Sequence, residues 1–162
     1  AFPSQLVDHF PAGETLVPYA SSWSTSNDDL AANDPFPLWQ APGNMLHALQ
    51  WEYVDHCQDL VAVGRRYATT PPARKFATIA HEKLQPALHS CQFWWASKRP
   101  MWDVSMIHRG FLLLNEVVVY ASKAIQEGSA SEPVRRSSAW RLAAANEARV
   151  EIERELIRGA GG

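Results

Sequence analysis

Apolar positions recur at helical spacing over four long stretches of the chain. Leu46, Leu49, Tyr53, Cys57, Leu60 and Gly64 follow at intervals of three and four, with Trp51 and Val54 flanking them. This spacing predicts a helix from about Gly43–Asn44 to Tyr67, with Asn44 as its N-cap and Arg65–Arg66 suiting the negative end of its dipole. A second stripe, Phe76, Ile79, Ala80, Leu84, Ala87, Leu88, Cys91 and Trp95, predicts a helix from about Pro72 to Ser97. Pro86 falls inside it and predicts a kink or break near Leu84–Gln85. A third helix is expected from the N-cap Asp103 to Glu127–Gly128. Met106, Gly110, Leu113, Val117, Tyr120 and Ala124 form one of its stripes, and Ile107, Phe111, Leu114, Val118, Ala121 and Ile125 form another beside it. So wide an apolar face marks the most buried helix. The fourth, from about Pro133 to Arg158, carries Leu142, Ala145, Ile152 and Leu156 on one side and a charge-laced face of Glu151, Glu155 and arginines on the other.

Residues 1–42 have no such period. Pro3, Pro11, Pro18, Pro35, Pro37 and Pro42 interrupt them, each fixing φ and removing a backbone donor. The aromatics of this segment argue against disorder, because disordered segments are poor in them. The pattern as a whole predicts an all-α protein, an up-and-down bundle of about four helices. It is read as a single helical domain, 1–162, in which 1–42 form an irregular, aromatic-rich N-terminal arm and 43–160 the bundle. The terminal Gly159–Gly162 is expected to fray.

Composition narrows the functional classes. With 46% apolar and 20% charged residues, the 162-residue chain has an ordinary globular balance. A formal net charge of −2 gives no basic field to recruit nucleic acid or an anionic membrane. No apolar run approaches the length of a membrane span, and no secretory signal is visible, so a cytoplasmic location is expected. The first residue is Ala1, which suggests a piece of a larger chain. Cys57 and Cys91 fall on the predicted apolar faces, where buried free thiols are common, and a disulfide between them is the alternative. The outlier is the content of 7 tryptophans.

Three chemistries are open to these residue types. The histidines His47, His56, His81, His89 and His108 fall on predicted helices near Glu52, Asp55, Glu82 and Glu116, but no Glu-x-x-His repeat is present, and no metal or cofactor is expected. A cysteine nucleophile needs an exposed, electropositive setting, which apolar faces do not offer. Carbohydrate recognition fits better, because sugars present apolar faces edged by hydroxyls and are met by aromatic platforms beside short polar side chains. Ser21–Thr25 around Trp23, Trp39–Asn44, and Ser90–Trp95 have this mixture. The plainer alternative is that these tryptophans only pin the arm to the bundle. Helical phase puts Trp95 with Cys91 and Leu88 on the core stripe and turns Trp94 outward, aimed by the Pro86 kink.

In order and spacing, Ser21-Ser22-Trp23-Ser24, then Leu38-Trp39-Gln40, Asn44 and Trp51, and later Ser90-Cys91-Gln92-Phe93-Trp94-Trp95, resemble the C-terminal helical region of glycoside hydrolase family 57. Members of that family include α-glucan branching enzymes, amylases and 4-α-glucanotransferases. The resemblance spans roughly Pro11 to Ala124. Ser21 and Ser24 stand where the family has glycines, and Cys91 where it has an aspartate. The resemblance implies a non-catalytic accessory domain that packs on an upstream catalytic barrel of the same chain and helps line a cleft for an α-glucan or related polysaccharide. The catalytic residues would lie in the barrel and none here. On this reading Trp23, Trp39, Trp94 and Trp95 are the cleft or interface residues, with Ser22 and Gln92 as polar edges. Rivals from other classes are a stand-alone helical bundle binding a ligand or metal, and a protein-interaction module.

Overall fold

The computed structural model describes residues 2–10, 13–99 and 102–160. Pro11, Pro100 and the expected fraying of Gly161–Gly162 lie outside them. The protein is all-α. Its helices are α1 (Pro3–His9), α2 (Asn27–Ala31), α3 (Met45–Arg66), α4 (Pro71–Ala87), α5 (Cys91–Trp94), α6 (Val104–Glu127) and α7 (Glu132–Ala160), with no strand among the described residues. The four long helices are those read from the apolar period. The arm holds two short helices that its prolines had hidden. Ser26 caps α2 by accepting from the Asp29 N–H, while the Asp29 carboxylate accepts from the Ser26 N–H.

Helix α6 is the centre of the bundle and packs against α3, α4, α5 and α7. Its second predicted stripe is buried throughout, and Gly110, Val117 and Ala124 of the first are buried beside it. Contrary to expectation α6 is, by length and composition only, apolar enough to cross a membrane, a property that the central helix of a packed bundle shares. The face of α4 buried nearest α6 differs from the predicted one. Ala73, Ala77, Ala80, Leu84 and Ala87 are buried, while Phe76 and Ile79 are only half-buried. Small side chains let two helices approach closely, and the bulky ones move to the rim. Gly64 serves the same purpose between α3 and α6, where a Cβ would lie 3.3 Å from the Ala121 carbonyl oxygen.

Asn44 and Asp103 cap α3 and α6 as expected, each through side-chain oxygens that accept two backbone N–H groups. The predicted helix from Pro72 to Ser97 is two helices. α4 runs through Pro86 to Ala87, because a proline in the last turn removes only one hydrogen bond. The chain then turns at Leu88–Ser90 and re-enters a single helical turn, α5. That turn resets the helical phase. Gln92 and Phe93 point inward and are buried, Cys91 is exposed, and both cysteines are free. The expectation of Cys91 on the core stripe is therefore wrong, while Trp95 does pack against the core.

Candidate functional site

The tryptophans singled out by the sequence meet at one place. Trp23 lies edge-on to Trp39 (centroids 5.9 Å, planes at 78°) and to Trp94 (6.1 Å, 85°). Trp94 packs on Trp95 at 5.5 Å. Edge-to-face geometry suits the ring quadrupoles, so the arm and the chain around α5 are joined by favourable aromatic contacts. Trp23 remains 77% exposed, while Trp39, Trp94 and Trp95 are half-buried. The Trp94 indole N–H is buried with no acceptor among the described residues.

The two polar residues predicted at its edge behave differently. Ser22 stays beside Trp23, but its hydroxyl is engaged with those of Ser24 and Thr25, and Thr25 Oγ1 donates to the Pro35 carbonyl. This network shapes the Trp23 loop. Gln92 is fully buried and is no surface edge. Its Nε2 donates to the Ala87 carbonyl, and its own carbonyl accepts from Gln50 Nε2, both at 3.0 Å. It lies so close to Gly110 that a Cβ there would fall 2.5 Å from the amide oxygen. Gln92 therefore ties α5 to the end of α4 and to α3 and packs on α6, away from the surface.

Buried polar groups also tie the loop after Trp39 to α5. The ring of His47 accepts the Ala41 N–H at Nδ1 (3.1 Å) and donates from Nε2 to the Phe93 carbonyl (2.9 Å). It is thus held as the neutral Nε2–H tautomer. Burial pushes its pKa below the ordinary 6.5, against the opposing pull of the Phe93 carbonyl and the Asp34 charge. Asn44 adds a bond from Nδ2 to the Ala96 carbonyl. Trp51 donates its indole N–H to the Trp39 carbonyl at 2.8 Å and stacks on Phe93 at 4.6 Å.

Beside this framework lies a cleft of about 600 Å³ between residues 33–36 of the arm, the Gln40–Asn44 loop and the first turns of α3. Its aromatic walls are Phe36 and Trp51, and none of Trp23, Trp39, Trp94 and Trp95 lines it. The Trp39–Asn44 cluster was the signal for it in the sequence, since Gln40 to Asn44 form one rim. Asp34 and Phe36 carried no such signal. Among the described residues no group of three or more histidine, cysteine, aspartate or glutamate side chains is arranged to hold a metal ion. No protein-family model matches the chain, and neither a curated protein nor a solved structure matches it.

Proposed function

We propose that the chain is a non-catalytic helical accessory domain of a cytoplasmic carbohydrate-active protein related to glycoside hydrolase family 57. In this reading it packs on a catalytic barrel of the same chain, and its aromatic cluster helps line an α-glucan cleft. The observation that carries it is the convergence of Trp23, Trp39, Trp94 and Trp95, brought from separate segments to one place with Trp23 left exposed. A large exposed indole is costly in water and suits a sugar face or a partner surface. The reaction itself would belong to the barrel, because a retaining glycosidase needs two carboxyl groups about 5–5.5 Å apart across the sugar.

The experiment is a titration of the chain with maltooligosaccharides, read by the indole N–H signals of the cluster, together with an assay for α-glucan hydrolysis. Binding that moves the Trp23 and Trp94 signals and is weakened by Trp23→Ala, with no hydrolysis, is the expected result. Hydrolysis by this chain alone would overturn the accessory reading. Indifference of every cluster signal to saturating oligosaccharide would remove the glucan.

A protein-interaction module is the second reading. Leu16, Val17 and Tyr19, just ahead of Trp23, are large apolar side chains that are all exposed on the arm. Cluster signals that ignore sugar, with shifts of the Leu16, Val17 and Tyr19 signals when the chain meets a protein partner, would favour it.

A further inference from the structure

Among the described residues, Asp34 is the one charged side chain lining the cleft beside Trp51. Its Oδ1 is buried and has no hydrogen-bond partner among the described residues. The groups around it are already engaged. Arg99 gives its terminal nitrogens to the two carboxylate oxygens of Asp29. His47 uses Nδ1 to accept from Ala41 and Nε2 to donate to Phe93, so it has no proton for Asp34. The Asp34 side chain as a whole is only half-buried and lines the cleft, and a carboxylate set in a largely apolar wall is stabilised by a ligand that brings both an N–H group and positive charge.

The remaining walls suit such a ligand. Trp51 is locked by its indole hydrogen bond and backed on one side by Phe93, so it presents a fixed platform to the cleft. Phe36 and the exposed, polarisable Met45 complete an apolar lining. Aromatic faces attract cations, and methionine adapts to varied ligand shapes. The volume lies within the range of small-molecule sites.

We propose that this cleft binds a small organic cation, an alkylguanidinium or alkylammonium whose N–H donors meet Asp34 and whose stem lies along Trp51 and Phe36. A neutral sugar supplies hydroxyl donors but no charge, and Arg99, although within electrostatic reach of Asp34, spends its hydrogen bonds on Asp29, so the cation fits the cleft better. The site stands independently of the glucan reading, because the four clustered tryptophans lie outside it.

The test titrates the whole chain with n-butylguanidinium, with its neutral counterpart n-butylurea and with maltotriose. The readout is the Trp51 indole N–H signal, assigned through Trp51→Phe. The expected result is saturable millimolar binding of butylguanidinium, weakened by added salt, with butylurea inert. Asp34→Asn removes the charge with almost no change of shape and should weaken binding at least about tenfold, the scale of losing a close charge pair. A thermal melt confirms that this variant folds. Where it does not fold, the butylguanidinium and butylurea comparison on the native chain decides. Equal binding of the two, no binding of butylguanidinium at tens of millimolar, or undiminished binding by a folded Asp34→Asn variant overturns the proposal. A Trp51 signal moved by maltotriose but not by butylguanidinium overturns it as well and assigns the cleft to a sugar.

Discussion

Arg99 holds Asp29 from 70 residues along the chain, with Nη1 and Nη2 at 2.5 and 3.2 Å from Oδ1 and Oδ2. Asp29 is buried and also accepts from the backbone and hydroxyl of Ser26, so one carboxylate both caps α2 and docks it on the turn after α5. A planar guanidinium meeting a carboxylate through two parallel bonds is the most directional ion pair available to proteins. The aromatic contacts of Trp23 with Trp39 and Trp94 therefore rest on an electrostatic clamp.

Arg99→Ala should release the arm while leaving the bundle folded. The expected signature is faster proteolysis between residues 20 and 38 and a loss of near-ultraviolet tryptophan dichroism, with helix content little changed. The double variant Asp29→Asn, Arg99→Ala should be milder than Arg99→Ala alone, because no charge is left buried without a partner. Acid should loosen the same clamp by neutralising Asp29, as Asp29→Asn would. The Arg99 and Ser26 hydrogen bonds hold the Asp29 carboxyl well below its ordinary 3.8. The unfolded arm then takes up a proton first as pH falls. The clamp contributes fully above about pH 4 and weakens progressively below it.

His47 sets a second, higher pH window. Its folded pKa is depressed below 6.5 by burial, so the unfolded chain binds the proton more readily. Stability from this group is complete above about pH 6.5 and declines as pH falls through that value toward the folded pKa. A proton on Nδ1 would also face the Ala41 N–H, donor against donor, and cut the loop after Trp39 away from α3. The urea midpoint of the native chain should fall between pH 7 and 5. In His47→Gln it should start lower and fall less steeply over the same range, and an unchanged slope would discount the assignment to His47.

Gly110→Ala tests the seating of α5. The gain in helix propensity is about 1 kcal/mol. Against it, the new methyl would meet Gln92 Cβ and Oε1, each at 2.5 Å, and the Gln92 amide is held by the Ala87 carbonyl and cannot swing aside. Overpacking of this kind costs about 1–3 kcal/mol, so the variant should be destabilised on balance, with the Trp94 and Trp95 signals shifted. Gly64→Ala is the control. Its contacts with Ala121 and Ala124 are looser at 3.3 Å, and its melting temperature should change less.

These residues also mark how much of the fold the sequence discloses. The long helices and the caps Asn44 and Asp103 were legible because periodicity and capping are local, written within a few residues of where they act. The burial of His47, Gln50 and Gln92 was not legible. Their partners are backbone carbonyls of Phe93, Gln92 and Ala87, which no side-chain pattern announces. The face presented by α5 was misread for a related reason. Helical phase carries only through continuous hydrogen bonding, and the turn at Leu88–Ser90 breaks it. Aromatic composition anticipated that the arm would engage the bundle, but only the assembled chain places Trp23 at the surface and opens the Asp34 cleft behind the Gln40–Asn44 loop.

The same phase reset separates the two cysteines chemically. Cys57 is fully buried on α3, with its thiol directed at the Leu114 carbonyl 3.8 Å away, and burial pushes its pKa far above the ordinary thiol range. Little thiolate is then available and no reagent reaches it. Cys91, on the outer side of α5, is exposed. Under native conditions a thiol-specific reagent should label one equivalent per chain, and Cys91→Ser should abolish that reaction. The second equivalent should appear only in denaturant, at a rate set by global opening, because Cys57 sits among the core residues of α3 and α6. Two fast equivalents in the native protein would contradict the inward orientation of Cys57, and none would contradict the outward orientation of Cys91.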